Sequence, residues 1–383
     1  MSLGVQEEVE DIQLDLLEIW LWRAKKRPLS IVVTHRSKDV KDWEPPPDTL
    51  DVVLGHSEQW LSVDLNIPEG WLGWLCEVQA KIPLLERLTI RGALERYPYN
   101  PEVFSVAPQL RFVAFEIPCY ESELGKILLP WSQLTELSIT ASDMQTCLTV
   151  VEQCSNLAHL ALHENFAADR RQLDEITIDL DGITSLYISS NARTSSFIDS
   201  ISAPHLKDLA VCSPWRTSDF LHSLCAFFAR SGCAESITRF SFLGYVPSEK
   251  EMVWFLSLLH NLSELELDIN RDAPSFSNIF INALHSPGPA SAHSGSSARR
   301  LLPNLVSLRY VGPITLDSHE FLNVLDVRYN VGGTSDAPQL KSVVVRSYDD
   351  RSVMEIGCLS QVESLRAQGM KVDMDYIKHT WIR

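Results

Sequence analysis

The sequence contains none of the short patterns that mark common nucleotide-binding or nucleophilic sites. G-x-S-x-G, G-x-x-x-x-G-K-[ST] and G-x-G-x-x-G are all absent, so the usual serine-hydrolase, phosphate-loop and dinucleotide-binding signatures are missing. His159, His163 and Glu164 could suggest zinc, but a zinc protease carries His-Glu-x-x-His on a helix, and these residues follow a strand pattern. Residues 179–182 (DLDG) lack the later ligands of a calcium loop. We therefore predict no catalytic, cofactor-binding or metal-binding residue, and no enzyme activity.

Positive charge and long apolar runs are also scarce. The 383 residues include 33 Lys and Arg against 50 Asp and Glu, a formal net charge of −17. A nucleic-acid or anionic-membrane surface needs a basic patch. No apolar run approaches the roughly 18 residues of a membrane helix, and residues 6–15 are polar where a secretory signal would be apolar. We expect a cytoplasmic protein that binds neither nucleic acid nor membrane, and residues 25–27 (KKR) leave a nuclear location open.

The eight cysteines form no C-x-x-C pair. The closest pairs in sequence are Cys147 with Cys154 and Cys225 with Cys233. This spacing favours buried free thiols in a reducing compartment over a disulfide framework or a zinc site.

The phrase L-x-x-L-x-L, with conservative replacements, recurs along most of the chain. Most early steps are 23 to 26 residues, inside the roughly 20–29 residues of leucine-rich repeats. A later step is 43 residues, followed by steps of 17 and 18. The units begin at Leu85, Leu110, Leu134, Leu157, Ile183, Leu206, Ile237, Leu262, Leu305, Leu322, Leu340 and Val362.

Two residue types support this register, although neither was used to choose it. Asn, which the leucine-rich template places three residues after the last leucine, occurs there more often than chance placement would give. Pro often stands two residues before the first leucine, where its missing N–H costs no sheet hydrogen bond. The positions are Asn165, Asn191, Asn270 and Asn330, and Pro83, Pro108, Pro204, Pro303 and Pro338.

The repeat predicts an α/β fold, a leucine-rich-repeat-like solenoid with a curved parallel sheet. Alternating apolar residues would lie on one face of each strand, so the leucines should form a buried ridge, and parallel strands require a crossover between them. Helix starts are predicted at the capping box of residues 248–251, after residues 142–143 and at residues 217–219, the last helix closing at Gly232. Residues 285–300 predict a disordered insert. An ordinary α/β domain with unrelated strands is the alternative.

The N-terminal region carries the repeat poorly. It predicts a helix over residues 14–22 and strands over residues 28–33 and 61–65. Residues 21–31 (LWRAKKRPLSI), residues 56–60 (HSEQW) and three A-P-x-L segments resemble fungal F-box proteins with a degenerate leucine-rich-repeat region. Those segments begin at Ala107, Ala203 and Ala337.

The resemblance implies a role in protein degradation. In that family an F-box docks on the Skp1 adaptor of a cullin ubiquitin ligase, and the repeats capture the target. Residues 1–20 are fewer than an F-box needs. We therefore expect residues 1–80 to be a junction or capping region without a complete F-box and residues 81–383 to be the solenoid. A Skp1-type adaptor would bind only if the F-box were restored, and a stand-alone scaffold without a ligase link is the alternative function.

Arginines recur among the residues that the repeat places outward. The third, fifth and seventh positions of each unit face away from the buried ridge, and an earlier unit presents Glu264, Glu266 and Asp268 there. Because guanidinium groups bind carboxylates in pairs of hydrogen bonds, successive outward arginines predict a stripe for a partner protein with an acidic surface. Ordinary solvated charge is the alternative. The predicted partner-binding residues are Arg309, Arg328, Arg346 and Arg366.

Overall fold

The computed structural model describes most of the chain and assigns it helices and parallel strands. The described residues are 3–34, 47–66, 75–91, 102–119, 127–141, 144–164, 177–190, 196–213, 219–246, 248–285, 300–315, 317–331, 339–348 and 358–376. The helices are α1 Leu3–Ala24, α2 Pro47–Leu54, α3 Met144–Gln153, α4 Ser196–Asp199, α5 Asp219–Ser231, α6 Glu249–Leu256, α7 Asn278–His285, α8 Ser318–Val331 and α9 Leu359–Ala367. The strands are β1 Leu29–Thr34, β2 Trp60–Asn66, β3 Arg87–Arg91, β4 Phe112–Cys119, β5 Glu136–Ala141, β6 His159–Glu164, β7 Ile178–Asp179, β8 Ser185–Ser190, β9 Ile201–Ser202, β10 Asp208–Ser213, β11 Arg239–Gly244, β12 Glu264–Ile269, β13 Ser307–Gly312, β14 Ser342–Ser347 and β15 Lys371–Tyr376.

The fold is α/β, and the described strands pair in parallel. The chain divides into two compact units, residues 1–167 and 168–383. The first unit contains β1 to β6, and the second contains β8 and β10 to β15, each set hydrogen-bonded in chain order. The short strands β7 and β9 pair separately within the second unit. Chain order in a parallel sheet means that every step returns through a crossover, as the repeat predicts.

The predicted leucine ridge is buried within each unit. In the first unit the register aligns one column of apolar side chains from β2 to β6, and in the second a longer column runs from β8 to β15. All seven leucines of these columns are buried. The columns are Val63, Leu88, Val113, Leu137 and Leu160, then Leu186, Leu209, Phe240, Leu265, Leu308, Val343 and Val372.

Two of the twelve predicted repeats do not form strands, so the prediction is wrong there. The phrases that begin at Leu322 and Val362 lie in helices α8 and α9. L-x-x-L also fits a helix, because residues three apart share one helical face, and both Leu322 and Leu325 are buried on such a face. The strand that follows β14 is instead β15, so the strand steps from Leu308 to Val343 and from Val343 to Val372 are 35 and 29 residues.

Most of the helix starts and ends predicted from the sequence are confirmed. Ser248 Oγ accepts a hydrogen bond from the backbone N–H of Glu251 at 3.5 Å and caps α6. Gly232, with φ of 65°, follows α5 and donates its N–H to the Phe228 carbonyl. The segment 286–299, most of the predicted insert, lies outside the described residues, and so do Asn165 and Asn191.

Side-chain amides connect each of several repeats to the repeat before it, and the leucine-rich template did not predict these hydrogen bonds. The residue before the first apolar position of a unit donates to a backbone carbonyl in the preceding turn. Gln133 Nε2 donates to Ala107 O at 2.6 Å, Asn156 Nδ2 to Ser132 O at 2.7 Å and Asn261 Nδ2 to Glu235 O at 2.7 Å. The signal was in the sequence, because Asn or Gln recurs there at Gln109, Gln133, Asn156, Asn261, Asn304 and Gln339.

The N-terminal strands belong to the same ladder of hydrogen bonds as the repeats that follow. The predicted helix lies within α1, and the predicted strands correspond to β1 and β2. β1 pairs with β2, and β2 pairs with β3, all in parallel. Strands on both sides of the boundary predicted at residue 80 therefore share backbone hydrogen bonds. Among the described helices, none is both long and apolar enough to cross a membrane.

The cysteines whose side chains the structure describes are free thiols of very different exposure. Cys76 is exposed, whereas Cys154 and Cys233 are buried. Burial raises the pKa of Cys154 to about 12 and that of Cys233 to about 11. The thiolate is the reactive form, so both groups should be inert in the folded protein.

Alkylation of the folded protein should therefore follow burial. We expect iodoacetamide to label Cys76 rapidly and to leave Cys154 and Cys233 unlabelled until urea unfolds the chain, because neither solvent nor reagent reaches the buried thiols. Mass spectrometry of the labelled peptides over time measures each site. Labelling of Cys154 in the folded protein at the rate of Cys76 would show that the α3 side of the core is open.

Candidate protein-binding surface

In the part of the second unit that the structure describes, helices pack on one face of the sheet. The ring centres of Phe240 on β11 and Phe255 on α6 are 5.2 Å apart, so the helices pack on the face that carries the apolar column. The side chains between the column residues point to the opposite face, which we call the open face. On β11, Arg239 is exposed and Ser241 is half-buried, whereas Phe240 and Phe242 are buried. The open face is therefore the accessible side of the sheet.

The open face of the second unit carries a ladder of ion pairs across adjacent strands. Arg239 Nε lies 2.9 Å from Glu264 Oε2, and Arg239 Nη1 lies 3.2 Å from Asp208 Oδ2. Arg309 Nε lies 2.7 Å from Glu266 Oε1. These residues are direct partners in the sheet register. Exposed pairs of this kind contribute at most about 1 kcal/mol each to stability, so their main effect is to hold the side chains in defined positions.

Two of the four predicted arginines lie on this face, and both are paired. Arg309 on β13 and Arg346 on β14 are strand residues, as the repeat predicts. Arg346 Nη2 lies 3.4 Å from Asp373 Oδ2 on the next strand. The structure therefore brings these two arginines onto one face, but each has a carboxylate neighbour within the chain.

The outward position predicted for Arg328 is wrong. It lies on α8 and is only 9% exposed, because its unit is helical. Its guanidinium donates to the carbonyls of Leu284, Leu301 and Leu302. Burial, with a smaller effect of the nearby Arg300, lowers the Arg328 pKa to about 10. The side chain joins the chain on the two sides of residues 286–299 and does not face a partner.

The strand position predicted for Arg366 is also wrong. Arg366 lies in α9 and is exposed. Its Nε and Nη2 donate to the Val372 carbonyl at 2.9 and 2.8 Å. The side chain therefore connects α9 to β15 and is not part of the arginine stripe. Of the four arginines predicted for the stripe, Arg309 and Arg346 are the two that lie on the open face.

Acidic groups outnumber basic ones on the strands of the second unit. Strands β8 and β10 to β15 carry the carboxylates Asp208, Glu264, Glu266, Asp268, Asp373 and Asp375. Their basic residues are Arg239, Arg309, Arg346 and Lys371. The face is thus mixed in charge with a small acidic excess, and it is not a basic surface.

Asp268 is a half-buried carboxylate of this set. Burial raises its pKa, while Arg309 and a hydrogen bond from Tyr348 act in the opposite direction. Burial and the adjacent Asp268 raise the pKa of Tyr348 as well. Glu266, Asp268, Arg309 and Tyr348 therefore form one polar cluster that spans β12, β13 and the residue after β14.

The first unit repeats the arrangement with other residues. Arg91 Nε lies 3.1 Å from Asp64 Oδ1 and 3.5 Å from Glu116 Oε2. The Arg87 guanidinium lies 3.8 Å from the centre of the Phe112 ring, a cation–π contact. Charged side chains therefore hold each other in place on the open face of this unit too.

The two histidines considered for zinc lie on this face of the first unit. His159 and His163 both lie on β6, the first exposed and the second half-buried. Burial lowers the pKa of His163, and Glu116 partly offsets that effect. Among the described residues, no three His, Cys, Asp or Glu side chains are grouped to hold a metal ion.

Comparison with known proteins supplies no relative from which a function could be transferred. No family model matches the chain. No curated protein sequence matches it either. A functional proposal therefore depends on the geometry of the open faces.

Proposed function

We propose that the chain is a protein–protein interaction module whose units are leucine-rich-repeat-like solenoid arrays, and that the open face binds a target protein. The observation that carries this proposal is the regular ladder of ion pairs on an accessible parallel sheet. Parallel sheets usually have both faces covered. A parallel sheet with one face left to charged, aligned side chains is suited to covering by another molecule.

The ion pairs fit a protein partner in particular. Neighbouring strands are about 4.8 Å apart, so the ladder presents charges at a spacing that an extended or helical surface of another protein can match. The cross-strand pairs Arg239–Glu264 and Arg309–Glu266 restrict the side chains before binding, which reduces the conformational entropy lost on association. Charge complementarity then selects the partner and speeds encounter. The partner must supply charges of both signs, and it need not be uniformly acidic.

We further propose, on the resemblance to fungal F-box proteins, that this module is the target-recognition region of an F-box-type ubiquitin ligase receptor in the cytoplasm. In this arrangement a Skp1-type adaptor would bind only through a restored F-box, and the open face binds the target. The two contacts are separable, so changes to the open face should affect target capture alone.

Charge reversal on the open face tests the binding function. We expect Arg309→Glu with Arg346→Glu to reduce partner capture, mainly through slower association. The free energy of unfolding should change by at most about 2 kcal/mol, because each of the two exposed ion pairs contributes at most about 1 kcal/mol. Tagged protein captured from lysate and quantified by mass spectrometry, with urea unfolding in parallel, gives both measurements.

A matched double reversal away from the open face provides the control. Lys81 follows the turn of residues 79–80 and Lys250 lies on α6, and both are exposed. Lys81→Glu with Lys250→Glu makes the same change in net charge and should leave capture unchanged. If the two double variants capture the same proteins in the same amounts, the open face is not the binding surface.

A further inference from the structure

The C-terminal half of α1 exposes a row of large apolar side chains. Trp20 is 71% exposed and Trp22 is 77% exposed. Leu16 and Ile19 are also exposed, whereas Leu21 on the other side of the helix is buried. We call Leu16, Ile19, Trp20 and Trp22 the α1 ridge.

The ridge has the spacing of a helix–helix contact. Leu16, Ile19 and Trp20 stand at i, i+3 and i+4 and therefore share one side of the helix. Trp22 flanks them. Helices bury such a row against another element, and contiguous exposed apolar patches on proteins mark interaction sites. The ridge lies entirely within the first unit and outside its open face, so it is distinct from the surface proposed above.

The ridge has acidic residues at one end and basic residues at the other. Asp15 and Glu18 are exposed towards the N-terminal end, and Arg23 and Lys25 are exposed towards the C-terminal end. In an antiparallel pair of identical helices crossing at Trp20, Asp15 of one copy lies opposite Lys25 of the other. A parallel pair would place like charges together. Antiparallel packing also sets the helix dipoles in the favourable opposed direction.

We propose that the α1 ridge is a self-association surface, on which α1 of a second copy packs antiparallel about a two-fold axis near Trp20. A two-fold contact uses the same patch on both copies, so the patch must complement itself. The ridge complements itself in the antiparallel pair. The apolar side chains of the two copies meet at the centre, and the acidic end of each helix lies beside the basic end of the other. The ridge is formed by residues of a helix and the open face by residues of strands, so the two contacts use different side chains.

Oligomeric state tests the proposal directly. Sedimentation equilibrium of the purified chain should give a mass that rises with concentration towards twice the 43.2 kDa of one chain. Trp20→Glu and, independently, Ile19→Lys should each weaken the dimer at least about tenfold by placing a charge at the apolar contact. Because both side chains are exposed, circular dichroism and the unfolding midpoint should remain those of the parent protein at concentrations low enough for the parent to be monomeric.

A second exposed tryptophan provides the control. Trp254 on α6 is 53% exposed, and Trp254→Glu should leave the dimer intact. A parent chain that stays monomeric at every concentration overturns the proposal, including the case in which a different protein covers the ridge. Equal effects of Trp20→Glu and Trp254→Glu overturn it as well.

Charge exchange tests the antiparallel arrangement. Asp15→Lys and Lys25→Asp should each weaken the dimer, and the double variant should recover it, because the exchanged charges again face each other across the two-fold axis. Double-variant coupling of this kind isolates the pairwise interaction. A dimer whose affinity falls additively in the double variant overturns the antiparallel packing.

Discussion

Gly244→Ala is expected to destabilise the protein by about 3 kcal/mol or more, among the largest effects of a single substitution. Gly244 ends β11 with φ of 145°, a conformation that residues with a Cβ rarely adopt. A Cβ at this position would lie 1.8 Å from the Ser213 carbonyl oxygen and 2.6 Å from the Ser213 carbonyl carbon. The neighbour is backbone of β10, so a rotamer change cannot relieve the overlap.

Hydrogen bonds on both sides prevent the backbone from moving away. Gly244 O accepts from the N–H of Asn270 at 2.7 Å, and the N–H of Tyr245 donates to Ser213 O at 3.0 Å. Displacing Gly244 would break the ladder at the ends of three strands. Urea unfolding followed by circular dichroism measures the loss, and failure to obtain folded protein is the extreme form of the same result.

Gly232→Ala is the matched control. Gly232 also has a positive φ, 65°, but no heavy atom lies within 4 Å of the Cβ that would be added. Its cost should be only the roughly 1–2 kcal/mol of a left-handed residue with a side chain. Equal losses in the two variants would mean that the close approach to Ser213 contributes nothing.

The sheet could be predicted from the sequence because strand alternation is a local signal. Leu209 and Leu265 repeat at the fourth position of their units, and the structure buries both in one column. The same phrase failed at Leu322, where the apolar residues fit a helix equally well. The predicted steps of 17 and 18 residues around Leu322 together make one 35-residue strand step. Step length was therefore the signal that separated helix from strand.

One ion pair of the open face could also have been predicted from the sequence. Glu266 and Arg309 both occupy the fifth position of consecutive units, so aligned units place them side by side, as the structure does at 2.7 Å. Treating the arginines as free charges overlooked that alignment. The contact of Arg346 with Asp373 could not be found in this way, because the last strand was assigned to the wrong segment.

The environment of Arg328 could not be predicted, because it depends on distant backbone groups. Its acceptors are carbonyls at the end of α7 and just before β13, which only the packing of α8 brings together. A sequence pattern contains no information about carbonyl positions across such distances. The sequence therefore wrongly predicted a solvent-exposed position for Arg328, whose guanidinium is buried against backbone carbonyls.

Arg328→Met is expected to lower the free energy of unfolding by about 3 kcal/mol. The substitution keeps a long side chain but removes every hydrogen bond to Leu284, Leu301 and Leu302. A buried polar group left without a partner costs about 1–3 kcal/mol. Several carbonyls lose their donor together, while removal of a desolvated charge offsets part of the loss. Arg328→Lys should be intermediate, because one ammonium group cannot reproduce the planar fork that reaches separate carbonyls.

An exposed arginine of the same unit distinguishes this role from a general effect of charge. Arg346→Met removes the same charge from the open face, where its contact with Asp373 is exposed, and should change stability by no more than about 0.5 kcal/mol. Urea unfolding of Arg328→Met, Arg328→Lys and Arg346→Met under one condition makes the comparison. The two ends of the segment 286–299 are also joined by a backbone hydrogen bond from Leu301 N to Ala283 O at 3.2 Å. If Arg328→Met were as stable as Arg346→Met, that bond and the surrounding packing would hold the ends together without the guanidinium.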